Sequence, residues 1–80
     1  MKRLSIVVRA QWDPEAEMWV ATSDDLPGLA TEASTQAGLV SKLEAMIPEL
    51  LEGEDIVDPS MVEVPVVIMS EQIARVRLRA

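Results

Sequence analysis

The stretch Trp12–Ala33, which reads WDPEAEMWVATSDDLPGLATEA, decides the fold of this 80-residue chain. It begins near Pro14 with a predicted turn, because proline presets its φ and cannot donate to a strand ladder. A short strand is predicted next, over Glu17–Ser23. Pro27 and Gly28 fit the two central positions of a type II turn, whose second residue needs a positive φ. The stretch therefore predicts paired strands, a sharp polar corner and a connection to the next element.

The segment after this corner has the clearest helical period in the chain. Ser34 is predicted to cap the helix, because its hydroxyl can accept a hydrogen bond from a first-turn amide. Pro48 is expected to kink the helix and Gly53 to end it. An apolar stripe on one helix face is expected to cover the sheet. Its members are Leu39, Val40, Leu43, Met46, Ile47, Leu50 and Leu51.

The segments on either side of the second strand also read as strands. Leu4–Gln11 has apolar side chains at every second position, which indicates a half-buried strand. Leu29–Ala33 predicts a short third strand. We expect Val7, with Met18 or Val20, on the side of the sheet away from the helix. An apolar second face must be covered, so a homodimer, a higher homo-oligomer or a partner surface is expected.

Two further strands are predicted in the C-terminal third of the chain. Met61–Met69 is rich in valine, and Pro65 within it indicates an edge strand or a break. Ala74–Arg79 alternates apolar residues with arginines, which is typical of a strand and allows a bent continuation of the one before. The elements together predict one α+β domain over residues 1–80. It consists of an antiparallel sheet with one helix on one face, in the order β-β-β-α-β, with a possible extra C-terminal strand.

The composition limits the chemistry and the cellular setting. The chain has no cysteine and no histidine, so disulfides, thiolate chemistry and the usual zinc sites are excluded. A reducing cytoplasm suits such a chain. The sequence shows no signal peptide, and no stretch approaches the ~20 apolar residues of a membrane span. We therefore predict a cytoplasmic protein that does not contact a membrane.

The net charge of −7 is unevenly distributed. Residues 12–58 carry twelve acidic side chains against Lys42 alone, a net charge of −11, whereas residues 1–11 and 59–80 are weakly basic. An acidic middle repels nucleic acid and attracts basic proteins. Simple solvation of the surface is the competing explanation.

Carboxylates are the main groups that an enzyme could use in this chain. If three or four of them met at one point, they could hold Mg²⁺ and support metal-assisted phosphodiester hydrolysis. Their positions in corners favour turn acids that bond nearby backbone amides instead. No metal-loop spacing and no glycine-rich phosphate loop occurs. We therefore predict no catalytic residue, no metal and no cofactor. The carboxylates concerned are Asp13, Glu15, Asp24, Asp25 and Glu32.

Trp12 and Trp19 are the only aromatic residues. We expect them to be packing anchors of the sheet, because binding of single-stranded nucleic acid needs aromatic residues in a basic groove. Arg75, Arg77 and Arg79 form the one basic row. It could contact phosphates, but beside an acidic domain these arginines are expected to pair with carboxylates or to face solvent.

The sequence WDPEAEMWVATSDDLPGLATEAST, followed by a helix ending near IPELLEG, resembles the short HicB-like antitoxin family. The similarity is closest to a subgroup of small prokaryotic proteins of poorly defined function, and it runs from about Ile6 to about Val67. The resemblance implies a β-β-β-α-β fold. It also implies a protein that binds and silences a HicA-type toxin, which cleaves messenger RNA.

A basic toxin would be drawn to the acidic middle of the chain by electrostatic steering. On this hypothesis Asp24, Asp25 and Glu32 are the predicted contacts, and the mechanism is occlusion of the toxin. Many longer HicB-like antitoxins carry a DNA-binding segment after the sheet. No such extension is expected here, so direct DNA binding is not predicted. The alternative is a stand-alone homo-oligomeric domain that binds another protein or a small ligand.

Overall fold

The structure is a computed structural model that describes residues 2–79. It confirms the predicted α+β fold with one helix packed on one face of a sheet. The elements are β1 (Ile6–Asp13), β2 (Met18–Thr22), β3 (Ala30–Ala33), α1 (Gln36–Leu51) and β4 (Val66–Glu71).

The four strands lie in the order β3-β2-β1-β4. The β1–β2 and β2–β3 pairs are antiparallel, as predicted, whereas β1 and β4 are parallel. The sheet is therefore mixed, and the expectation of a wholly antiparallel sheet is wrong for this pair. The cause is the connection through α1, which carries the chain back along the sheet before β4 begins, so that β4 runs in the direction of β1.

The core lies between the sheet and α1. In β1 every second side chain, at Ile6, Val8 and Ala10, is fully buried on the helix side. Val40 is an exception to the predicted helix stripe, because 36% of it is exposed. The backbone of α1 packs against β3 and β2, and it meets β4 through side chains, as in the hydrogen bond from the Ser70 hydroxyl to Gln36 Oε1 at 2.9 Å. The remaining buried apolar residues are Ala21, Leu26, Leu29, Ala33, Leu39, Leu43 and Ile47.

The two predicted turns of the opening stretch are both present. Pro14 lies in a turn closed by Asp13, whose carboxylate accepts hydrogen bonds from the amides of Glu15 and Ala16. In the second turn the Leu29 amide donates to the Leu26 carbonyl at 3.2 Å. Of the two residues between them, Pro27 and Gly28, the second has a φ of 90°, which is the value that a type II turn requires there.

The helix begins one residue later than the predicted cap implies. Thr35, and not Ser34, is the N-cap, since its hydroxyl accepts a hydrogen bond from the Gly38 amide at 2.9 Å. The prediction of Ser34 is therefore wrong, because α1 begins at Gln36 and Thr35 is the residue directly before it, so the Thr35 hydroxyl is the one that reaches a first-turn amide. α1 continues through Pro48, and Gly53 follows its end with a φ of 77°, as predicted for a helix stop.

The C-terminal segment departs most from the prediction. β4 begins only at Val66, after Pro65, and it is an edge strand. Residues 61–65 are therefore not strand. The predicted strand over Ala74–Arg79 is also wrong, since residues 72–79 form no strand and are exposed throughout. An alternating sequence cannot form a strand without a neighbour to hydrogen-bond. Within residues 2–79, no helix has the length and apolar character needed to cross a membrane.

Candidate protein-binding surface

The face of the sheet that points away from α1 has no second layer over it among the described residues. This outer face follows from the register, because the alternate residues of each strand that are not packed beneath α1 point to the opposite side. Its members are Val7, Arg9, Gln11, Asp13, Met18, Val20, Thr22, Ala30, Glu32, Val67, Met69 and Glu71. The prediction that Val7, with Met18 or Val20, lies away from the helix is confirmed, and the register places both Met18 and Val20 there.

The outer face has an apolar strip, defined here as Val7, Val67 and Met69, at the edge where β1 and β4 pair. Val67 pairs with Val7, and Met69 pairs with Arg9 on the same strands. Val67 is 47% exposed and Met69 is 55% exposed. These side chains have no cover in the structure, so the strip is available to a partner.

An ion pair crosses this strip at its end. The Arg9 guanidinium donates to Glu71 Oε1 from Nη2 at 2.5 Å and from Nε at 2.9 Å. Hydrogen bonding to Glu71 is the main cause of the raised pKa of Arg9, followed by the negative charges of Glu71 and Asp24. Both side chains of the pair are about half exposed, so the pair adds little to stability.

Two of the three predicted partner contacts lie at the margin of the outer face. Asp24 is exposed in the corner after β2. Glu32 is exposed in β3 directly opposite Val20. With Glu71 on β4 they are called here the acidic rim, defined as Asp24, Glu32 and Glu71; Glu32 lies at the edge of the outer face opposite the apolar strip, and Glu71 is paired with Arg9.

The third predicted contact, Asp25, has a structural position instead. Its side chain is only 10% exposed, accepts a hydrogen bond from the Val7 amide at 2.8 Å and forms an ion pair with Arg3 at 2.5 Å. Ser23 completes the network, since its hydroxyl donates to the Val7 carbonyl at 2.6 Å and accepts from the Asp25 amide at 3.1 Å. The side chains of Ser23 and Asp25 thus continue the pairing with β1 where β2 ends.

Trp12 and Trp19 form a cross-strand pair on the helix side of the sheet. Their ring centroids are 5.3 Å apart and the rings are tilted by 58°. Both are half-buried, and Trp19 packs against the buried core. This geometry is that of packing anchors at the end of the β1–β2 hairpin.

The carboxylates of the opening stretch do not meet at one point. Within residues 2–79, no group of three acidic side chains is arranged to hold a metal ion. The hypothesis of a Mg²⁺-dependent nuclease requires such a group. The carboxylates serve turns, the Asp25 network and the acidic rim.

A second surface, which the sequence analysis did not identify, is a groove between α1 and β4. It has a volume of about 620 Å³ and is bordered on its third side by residues 57–64. Leu43 and Ile47 from α1 and Val66 and Ile68 from β4 line it. The valines of residues 61–67 are a signal for it, but the sequence pattern there predicts a strand over Met61–Met69.

The comparisons with known proteins agree with the fold and leave the function open. Among solved structures, the chain is similar to the hypothetical protein TTHA1013 from the extremely thermophilic bacterium Thermus thermophilus. The two chains are 44% identical over 92% of this chain and 99% of that chain, with a TM-score of 0.64. No curated protein matches the chain. The model of a domain of unknown function, DUF1902, matches residues 5–80, and the chain therefore belongs to the DUF1902 family.

Proposed function

We propose that this chain is a non-catalytic protein of the antitoxin type, which neutralises a basic partner by covering it with the outer face. The partner that we propose is a HicA-type toxin that cleaves messenger RNA in the cytoplasm. The observation that carries the proposal is the exposed apolar strip on a sheet face without a second layer, which also has exposed acidic residues at its margin.

The apolar strip would supply the buried centre of the contact. Val67 and Met69 are about half exposed beside Val7, although they belong to strands of the sheet. Contiguous exposed apolar side chains rimmed by polar residues are typical of protein–protein contact sites. Methionine suits such a site because its flexible side chain adapts to the surface that it meets.

The acidic rim would supply orientation and speed of association. Asp24 and Glu32 are exposed and free of ion pairs among the described residues, and they belong to the segment with a net charge of −11. A protein that cleaves RNA must attract phosphates with basic side chains. The rim would therefore steer the chain to the same basic surface that the RNA needs, and binding would exclude the RNA by competition.

The test is inhibition of RNA cleavage by a HicA-type toxin encoded beside this chain or recovered with it from its own cells. We expect stoichiometric inhibition that weakens as salt is raised. In the variant Asp24→Lys/Glu32→Lys, inhibition should weaken by about tenfold or more, because each attraction of up to about 1 kcal/mol becomes a repulsion.

A control with the same change in net charge isolates the rim. Glu49 and Glu54 are exposed on α1 and just after it, outside the outer face. The variant Glu49→Lys/Glu54→Lys should inhibit nearly as well as the unaltered chain. Undiminished RNA cleavage in the presence of excess unaltered chain would contradict the proposal. Recovery of the chain from its own cells without any toxin would favour the alternative of a stand-alone homo-oligomeric domain.

A further inference from the structure

We infer that the C-terminal arm, residues 72–79, docks in the groove between α1 and β4 of a second copy of this chain. This contact lies on the helix side of the sheet and leaves the outer face uncovered. It makes the chain a dimer by exchange of arms, whatever partner the outer face binds.

The arm has the composition of a segment that is buried when it has a partner. Val76 is 78% exposed and Leu78 is 91% exposed, which is a large apolar exposure for a segment of eight residues. In an extended conformation these two residues and Ala74 share one side, and Arg75, Arg77 and Arg79 share the other together with Ile73 at the start of the arm, which is 84% exposed. The arm is thus a segment with strand-like alternation that has no sheet neighbour among the described residues of its own chain.

The groove matches the arm in length and in chemistry. It extends along α1 from Val40 to Leu51, a span of about 17 Å at the helical rise. An extended arm of eight residues measures about 26 Å, so it can follow the whole groove. Leu43, Ile47 and Ile68 present apolar side chains to it.

The charges of the arm and the groove are also complementary. Residues 72–79 carry three arginines and no acidic residue, whereas Glu44 and Glu63 are exposed among the groove residues. With the apolar side of the arm turned into the groove, its arginines lie on the side of these two carboxylates. The two Glu–Arg contacts then fix the orientation of the arm.

The connection after β4 favours a second copy over the chain's own groove. To return along β4, the arm would have to reverse direction within Glu71–Ala74, a segment without the Gly, Asn or Asp that tight hairpin turns require. The arm instead continues away from the sheet, and the molecule measures 58 Å along its long axis against 22 and 18 Å across. The radius of gyration is 15.2 Å, compared with about 12 Å for a compact chain of this length.

Crosslinking between copies tests the contact directly, because the chain has no cysteine of its own. One variant carries Arg79→Cys at the end of the arm, and the other carries Val62→Cys at the groove, where the side chain is 98% exposed. When the two are mixed with a short bis-maleimide, we expect a covalent pair containing one of each. A matched mixture with Glu15→Cys, in the exposed β1–β2 turn, should give little product. Equal yields in the two mixtures would overturn the inference.

The oligomeric state of full-length variants provides a second, independent test. We expect a concentration-dependent dimer in sedimentation equilibrium, and a monomer for Val76→Asp/Leu78→Asp. Arg75→Glu/Arg77→Glu should also weaken the dimer, and adding Glu44→Arg/Glu63→Arg to the same chain should restore it. Val76 and Leu78 are both exposed in the single chain, so Val76→Asp/Leu78→Asp should not change the thermal unfolding of the diluted monomer.

A control on the other side of the sheet separates this contact from the outer face. Met69→Asp alters the apolar strip and should leave the dimer intact while weakening toxin inhibition. A monomeric unaltered chain, or a dimer that Met69→Asp abolishes and Val76→Asp/Leu78→Asp does not, would overturn the inference. Neither result alters the prediction that Asp24→Lys/Glu32→Lys weakens inhibition, so the two proposals fail separately.

Discussion

Replacement of Asp25 by alanine should destabilise the fold far more than the same change at its neighbour Asp24. Asp25 accepts the Val7 amide at 2.8 Å and pairs with Arg3, and its side chain is 10% exposed. Asp24 is exposed and acts on Arg9 only through its charge. The two adjacent acids, which are indistinguishable as candidate contacts in the sequence, therefore have different roles.

The expected cost follows from the two interactions that Asp25 makes. Loss of the acceptor for a partly buried amide costs about 1–3 kcal/mol, because the Val7 amide is left without a partner. Loss of the ion pair adds at most about 1 kcal/mol, since the Arg3 side chain is 52% exposed. The sum is about 1–4 kcal/mol, a large share of the roughly 4–12 kcal/mol expected for the whole domain. At about 4–8 °C per kcal/mol, the Tm should fall by about 4–30 °C.

Urea and thermal unfolding, followed by circular dichroism and by the fluorescence of the two tryptophans, measure these differences. We expect Asp25→Ala to cost most and Asp24→Ala to stay within about 0.5 kcal/mol of the unaltered chain. Asp25→Asn should lie between them, since an amide oxygen still accepts from Val7 but has no charge for Arg3. If Asp25→Ala and Asp24→Ala unfold at the same urea concentration, the contacts of Asp25 with Val7 and Arg3 do not hold the corner after β2 to β1.

Three further predictions concern local geometry. Thr35→Ala should lower the free energy of unfolding by about 1 kcal/mol and Ser34→Ala by much less, as urea unfolding would show, because only the Thr35 hydroxyl caps α1. Gly28→Ala should cost about 1–2 kcal/mol through its positive φ alone, since the added methyl would meet its nearest neighbour only at 3.9 Å; a neutral result in thermal unfolding would show that the turn relaxes. The Ser60 hydroxyl and amide each donate a hydrogen bond to Asp58 and lower the pKa of its carboxyl. The stability that the ionised Asp58 contributes is therefore present above about pH 4 and is lost as the pH falls through the pKa of Asp58 in the folded chain. The difference in urea midpoint between the unaltered chain and Asp58→Asn should shrink from about pH 7 to about pH 3.

The local part of the fold was predictable because its signals lie within a few residues of one another. The period of two in β1, the Pro27–Gly28 turn and the apolar stripe of α1 each reflect a single element and its nearest contacts. The boundaries shifted by one or two residues, as at the start of β1 and at the cap. These shifts depend on which of two adjacent hydroxyls or amides finds a partner.

The non-local part was not predictable, because it depends on contacts between residues that lie far apart in the sequence. Whether β4 runs parallel or antiparallel to β1 depends on where α1 returns the chain, and the residues of β4 are compatible with both. The alternation of residues 74–79 indicates a strand, but a strand exists only where a neighbour supplies hydrogen bonds. At the candidate site, the acidic character of the corner was correctly identified, whereas the burial of Asp25 depends on β1, sixteen or more residues away in sequence.

Both proposed contact surfaces are exposed because one helix cannot cover both faces, or the full width, of a four-stranded sheet. Four strands at a spacing of about 4.8 Å span about 14 Å between the axes of the edge strands, whereas one helix covers a width of about 10 Å. α1 lies over β2 and β3, so β4 at the far edge cannot be covered by it, and the groove follows. The outer face has no layer at all in residues 2–79. A second copy can fill the groove and a basic partner can cover the outer face, and each would bury apolar surface that the single helix of this chain leaves exposed.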